Sequence, residues 1–418
     1  MSEIIETYAC LTPRSAAAQT AAEKYIPGGN SRQAGHWLPH PLTISRAKGA
    51  HIYDLDGRPY IDLTNNFTSL VHGHCYEPIV EAATKGFASG SAWSANNESQ
   101  LELAEAIVER VPGMDQIRFT NSGTEAANLA LLIARIVTGR YKVLMARYGY
   151  HGSLLEFEVG AFDLEGPMTL KATYNDAASF ISVLEEHGSE IAAVFLEPVM
   201  GAGGVISAEP EFLREVKTAA NKAGALFVLD EVIALRLAYG GCQSLMDVTP
   251  DLTMMGKLIG GGFPVGAVGG KKEHFSIFDP KDLKAWHSGT FNANPITMRA
   301  GAIAVEHLTQ ERIDHMARLA EKLEQGLLLA ARKAGLPCSI NRNGSLLNLF
   351  FMDQAPEATL IREDQELISK FHIAAMNHRV FLAARGMMAL ATIYNDALID
   401  EVIERLSLAM SDVAKECF

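Results

Sequence analysis

Between residues 116 and 256, short apolar runs alternate with stretches patterned as amphipathic helices. The runs are 116-QIRFT-120, 141-YKVLMA-146, 191-IAAVFLE-197, 225-ALFVLDE-231 and 252-LTMMG-256. Strands that are apolar almost throughout are those covered on both faces, as in a parallel sheet. Helices placed between them imply βαβ crossovers, so an α/β fold with a large, doubly wound, mostly parallel sheet is expected. The helix ends are legible: 209-EPEFLREVKTAANKAG-224 has Pro210 for its first turn and Gly224 for its stop, and 124-TEAANLALLIARIVTG-139 also ends in glycine. From about residue 296 the pattern changes to long helices (314–335, 398–416) around short strands such as 344-GSLLNLFF-351, which reads as a smaller α+β domain. The stretch 51-HIYDLDGRPYIDL-63 reads as a hairpin, and the N-terminal segment is expected to join that domain. The expected division is an N-terminal segment 1–65, a large domain 66–295 and a C-terminal small domain 296–418.

Composition narrows the function. The 418 residues carry a formal net charge of -13, which argues against a nucleic-acid binder or a protein of anionic membranes. The five cysteines show no paired spacing, as in reduced, cytoplasmic proteins. The opening MSEIIETYACLTPRS is acidic without an apolar core, so no secretory leader is expected, and no apolar run is long enough for a membrane span.

Polar residues stand directly after the expected strands. 121-NSGTEA-126 follows the first and opens a helix, and 148-YGYHG-152 follows the second. Glu197 ends the third, Asp230 ends the fourth, and Lys257 follows the fifth. In a parallel sheet all of these face the carboxyl edge, where open α/β folds bind ligands. Ser122, Gly123 and Thr124 at a helix start suit an anion, or else a plain helix cap. Lys257 lies among Leu, Met and Ile with three glycines close behind, and a desolvated amine is a nucleophile towards carbonyls. The alternative for a lysine is a snorkelling surface chain, which Lys271 and Lys272 fit better. Asp230, after an apolar strand, calls for a cationic partner: a protonated ring nitrogen, or a structural arginine such as Arg236. Tyr150 could stack on a planar ring or simply pack, and His151 could hydrogen-bond nearby or sit in the wall.

Together these residues resemble the class III, fold-type I aminotransferases that use pyridoxal 5'-phosphate. The similar segments are 119-FTNSGTEAAN-128, 149-GYHG-152, 196-LEPVMG-201, 229-LDEV-232, 254-MMGKLIGGGFPVGAVGG-270 and 288-SGTFNANP-295. The resemblance implies that Lys257 forms a Schiff base with the cofactor and shuttles protons, and that Asp230 holds the pyridine nitrogen. It implies Val232 and Tyr150 on opposite ring faces, His151 beside the ring, Ser122, Gly123 and Thr124 on the phosphate, and Glu197 on the floor. Thr290 is implied to reach the cofactor of the other subunit in a homodimer. The cofactor would alternate with pyridoxamine 5'-phosphate.

Within the class, 236-RLAYGG-241 and 246-MDVTPDLTMMGK-257 are similar to glutamate-1-semialdehyde aminomutases. 27-PGGNSRQAGHWLPHPLTISRAKGA-50 and 382-LAARGMMALAT-392 are similar to β-phenylalanine-type β-amino-acid aminotransferases. The segment 153–173, between His151 and 174-YND-176, is short for the lid an aminomutase needs, which favours an aminotransferase. Where classical ω-aminotransferases carry Thr-Gly-Phe-Arg, this chain has 233-IALR-236. The expected reaction moves an amino group from a carboxylate-bearing amine to a 2-oxo acid by a ping-pong route. An aminomutase or amino-acid epimerase is the alternative; a regulatory scaffold would need an appended DNA-binding module. Arg32 and Arg385 are the candidates for a substrate carboxylate. His36, Trp37 and Phe67 could wall an apolar pocket, or lie in the core. 72-HGHC-75 has too few ligands for a metal, so none is expected.

Overall fold

A computed structural model of the chain describes residues 2–154, 168–355 and 363–417. Its largest sheet has seven strands: β1 (Gln116–Thr120), β2 (Lys142–Ala146), β3 (Thr169–Ala172), β4 (Ile191–Leu196), β5 (Leu226–Asp230), β6 (Leu252–Gly256) and β7 (Gly266–Gly270). They lie in the order β1-β7-β6-β5-β4-β2-β3, with β7 antiparallel to both its neighbours and the other pairings parallel. The mostly parallel sheet read from the sequence therefore forms.

The alternation of side chains explains its layers. Leu144, Val194, Phe227 and Leu229 pack to one face with Phe212 and Val216. Val143, Met145, Phe195 and Val228 pack to the other with Leu129 and Ile133. The first face is covered by α2 (Ala177–His187) and α3 (Pro210–Ala223), the second by α1 (Gly123–Thr138). Gly139 and Gly224 end α1 and α3 in the left-handed conformation, the stop their sequences announced.

A separate core draws Ile4, Tyr60 and Ile61 together with Leu323, Phe371 and Leu406, so the two ends of the chain share one interior. Strands His51–Asp54 and Pro59–Asp62 pair antiparallel as a hairpin, and Pro59–Asp62 also pairs with Val380–Phe381. Helix Pro295–Glu306, at the expected domain boundary, puts Met298 and Val305 into the core shared by Leu103, Met255 and Ile259. No helix among the described residues is long and apolar enough to cross a membrane.

Candidate active site

Because β1, β2, β4, β5 and β6 run the same way, the residues that follow them meet at one edge. They line a cavity of about 460 Å³ that contains Ser122, Gly123, Thr124, Tyr150, His151, Glu197, Asp230, Val232 and Lys257, and Arg32 stands on its wall.

The turn from β1 into α1 is built by its side chains. Ser122 is the N-cap, its Oγ accepting from the Glu125 N–H at 3.1 Å, and Glu125 Oε2 accepts in return from the Asn121 N–H at 2.8 Å. The cap reading of Ser122 is thus correct as local structure. It leaves the hydroxyl proton and the first-turn N–H groups at a positive helix end, which suits a phosphate. Thr124 Oγ1 accepts from the Ser153 N–H at 3.2 Å, tying this turn to the strand end that carries Tyr150 and His151.

Asp230 is buried at the end of β5. Its Oδ1 accepts from the Val232 N–H at 3.0 Å, and its Oδ2 lies 2.9 Å from His151 Nδ1, itself buried. Arg236, the structural partner weighed for Asp230, points elsewhere: its guanidinium is fully buried against Ser345, Thr68 and Leu390. Glu197 is buried beside them, and its Oε2 has no hydrogen-bond partner among the described residues. Burial first, and the charge of Asp230 second, push the Glu197 carboxyl well above its ordinary range. Tyr150 keeps 41% of its surface exposed and lines the cavity.

Lys257 is half-buried directly after β6, and burial pulls its ammonium down to about 8, against the opposite pull of Asp230 and Glu197. Its φ is +51°, a left-handed conformation unusual for a lysine, and Gly261 and Gly262 beyond it are left-handed too. Arg385 is half-buried and close enough to bias the titration of both Lys257 and Glu197. Trp37 and Phe67 line a neighbouring cavity that shares Arg32 with this one. Thr290 does not join its own chain's cavity and lies exposed, in a loop tied to the phosphate turn by Asn121 Nδ2 donating to Asn292 Oδ1 at 2.7 Å. Sequence reading missed Asn66 and Ser69, which also line the cavity; no spacing or strand end marked them.

The cavity fits a phosphorylated aldehyde carried on a basic ring. A capped helix start answers the phosphate, a buried carboxylate at the opposite side answers a ring N–H, and a desolvated amine stands between sheet and solvent. The fold that gathers phosphate turn, aspartate and lysine along this carboxyl edge is that of the fold-type I enzymes dependent on pyridoxal 5'-phosphate. Residues 33–410 match the family model "Aminotransferase class-III", and the chain belongs to that family of enzymes. Its cofactor is pyridoxal 5'-phosphate. The β-phenylalanine transaminase of Variovorax paradoxus is 36% identical over 407 residues, covering 96% of this chain and 94% of that protein. The glutamate-1-semialdehyde 2,1-aminomutase of Rhodopirellula baltica is 35% identical over 415 residues, covering 94% of each. A solved ω-transaminase from Sphaerobacter thermophilus superposes with a TM-score of 0.90 at 36% identity, covering 96% of this chain and 97% of that one.

Proposed function

We propose that this aminotransferase takes the amino group of a carboxylate-bearing amine, a β-amino acid above all, and delivers it to a 2-oxo acid. The observation that carries this reading is the guanidinium of Arg32 on the wall of the same cavity as Lys257, with Arg385, outside the lining, close enough for its charge to act on Glu197 and Lys257. Two guanidiniums suit a reaction in which donor and acceptor each carry a carboxylate. The similarity to the β-phenylalanine transaminase supports the same donor class.

When bound, pyridoxal 5'-phosphate supplies an aldehyde and an electron-withdrawing ring. The chain does the rest. Lys257 would hold the aldehyde end, and its amine, which burial lowers to about 8, would give and take the proton that moves between the substrate carbon and nitrogen. Asp230, oriented by His151 and the Val232 N–H, would keep the ring nitrogen protonated. Tyr150 and Val232 would pack against the ring, Glu197 would line the floor, and Ser122, Gly123 and Thr124 would hold the phosphate. The working unit of this reading is a homodimer in which Thr290 reaches the partner's phosphate, supported by its exposure in a loop hydrogen-bonded to the phosphate turn. A cytoplasmic setting accords with five free cysteines.

The similarity to an aminomutase supports a second reading, in which one substrate is rearranged without an acceptor. Much of the segment whose shortness weighs against a lid, 155–167, lies outside the described residues. A donor screen at a fixed 2-oxo acid, comparing α-, β- and ω-amines in both enantiomers, separates the readings. The expected result is fastest turnover with a β-amino acid and none without acceptor. Product from a single amino substrate, or preference for amines lacking a carboxylate, overturns the transaminase reading.

A further inference from the structure

Asn65, Asn66, Phe67 and Thr68 have φ values of 46, 50, 51 and 77°. Four consecutive non-glycine residues in the left-handed region make a turn that L-residues disfavour, so its surroundings must enforce it. Asn65 Nδ2 donates to the Ala389 carbonyl at 2.8 Å and to the Tyr394 hydroxyl at 3.0 Å. The Leu70 N–H closes the turn on the Asn65 carbonyl at 3.0 Å. From beneath, Arg236 directs Nη1 at the Thr68 carbonyl (3.4 Å), while Nε donates to Ser345 Oγ (3.1 Å) and Nη2 to the Leu390 carbonyl. This fully buried guanidinium has no carboxylate partner among the described residues; its charge is spent on carbonyls and a hydroxyl that fix the turn.

What the turn sets is the carboxamide of Asn66. Its Nδ2 donates to Ser69 Oγ at 2.9 Å, and Ser69 Oγ donates back to the Asn66 carbonyl at 3.0 Å. With the NH₂ engaged there, the amide oxygen faces the other way and accepts from Arg32 Nη1 at 2.8 Å. Arg32 is exposed and takes part in no ion pair among the described residues. A neutral acceptor thus directs an exposed guanidinium without cancelling its charge.

We propose that Asn66 is a specificity-determining positioning residue, whose amide oxygen aims Arg32 into the cavity and leaves its charge free for the substrate carboxylate. The inference rests on the reading above that Arg32 receives that carboxylate. It explains why an amide serves at this position: an aspartate would hold Arg32 better and quench it, whereas an apolar residue would let it swing into solvent.

The test compares kcat and KM of the holoenzyme for 3-amino-3-phenylpropanoate in Asn66→Ala, Asn66→Asp, Arg32→Ala and Arg32→Ala/Asn66→Ala. The cofactor's visible absorbance serves as the check on folding. Expected are a KM raised about tenfold by alanine and more by aspartate, with kcat within about twofold, as for loss of one hydrogen bond to a charged group and then of the charge. In the Arg32→Ala background, Asn66→Ala is expected to change KM by less than about twofold, since coupled residues are not additive. A merely structural Asn66 gives the reverse order, because aspartate retains the acceptor and alanine does not. That order, or additive effects in the double variant, overturns the proposal while Arg32→Ala still raises KM. If Arg32→Ala leaves KM unchanged, the carboxylate reading of Arg32 itself fails and takes the proposal with it.

Discussion

The sequence around Lys257 already implied a desolvated amine, since Leu, Met and Ile crowd it and charged neighbours are absent. Its left-handed backbone, φ +51°, was not legible, because that strain is imposed by the strand before it and the glycine turn after it. Burial and strain both raise the cost of keeping a lysine here, as expected where function rather than stability sets the residue. The pH dependence follows from the lowered amine. Below about 8 the ammonium is present in both folded and unfolded chains, and the fold bears the whole penalty. Between about 8 and 10.5 only the unfolded chain holds the proton, so the penalty fades as pH rises. Protein stripped of cofactor should therefore be stabilised by Lys257→Met at pH 7, on the order of a few kcal/mol, with the difference shrinking towards pH 10.5. Thermal melts at the two pH values measure it, and an equal difference at both contradicts the account. The candidate arginines were legible as residue types; Asn66, which accepts from Arg32, was not, because it depends on a turn held by contacts from Arg236 and from the distant segment 389–394.

At the scale of elements, the parallel strands and the glycine-stopped helices could be read because each depends on local pattern: an apolar run, a proline at the start, a glycine at the end. β7 could not. Its sequence GAVGG has the composition of a loop, and only pairing with β1 and β6 makes it a strand. The glycines have a spatial reason. A Cβ at Gly266 would overlap the Ser122 carbonyl oxygen and Thr120 Oγ1, so the strand lies against the phosphate turn only because that position is bare. Gly266→Ala should push the turn out of place and weaken cofactor retention by about tenfold or more, with a smaller effect on overall melting. Equilibrium dialysis of the cofactor against the variant reads this directly. Retention like that of the unaltered protein would mean the turn tolerates the shift.

The whole molecule joins its two chain ends in one core and sets that core beside a sheet whose carboxyl edge carries the chemistry. The expected fold class followed from the order of elements along the chain, whereas the association of the ends came from contacts between residues more than 300 positions apart. Thr290 lies between Trp286, 81% exposed, and Phe291, 60% exposed, a concentration of open aromatic area that suits a second copy of the chain. If the working unit is the proposed homodimer, Trp286→Glu is expected to shift the protein towards monomer in sedimentation velocity and to lower activity in parallel. A monomeric unaltered protein with full turnover would remove Thr290 from the account. Whether Lys257 carries the cofactor is decided by borohydride reduction of the purified holoenzyme followed by peptide mass mapping. The reduced cofactor's mass is expected on the peptide containing Lys257 and nowhere else; its appearance on Lys271 or Lys272, or on no lysine at all, would rule out Lys257 as the anchor.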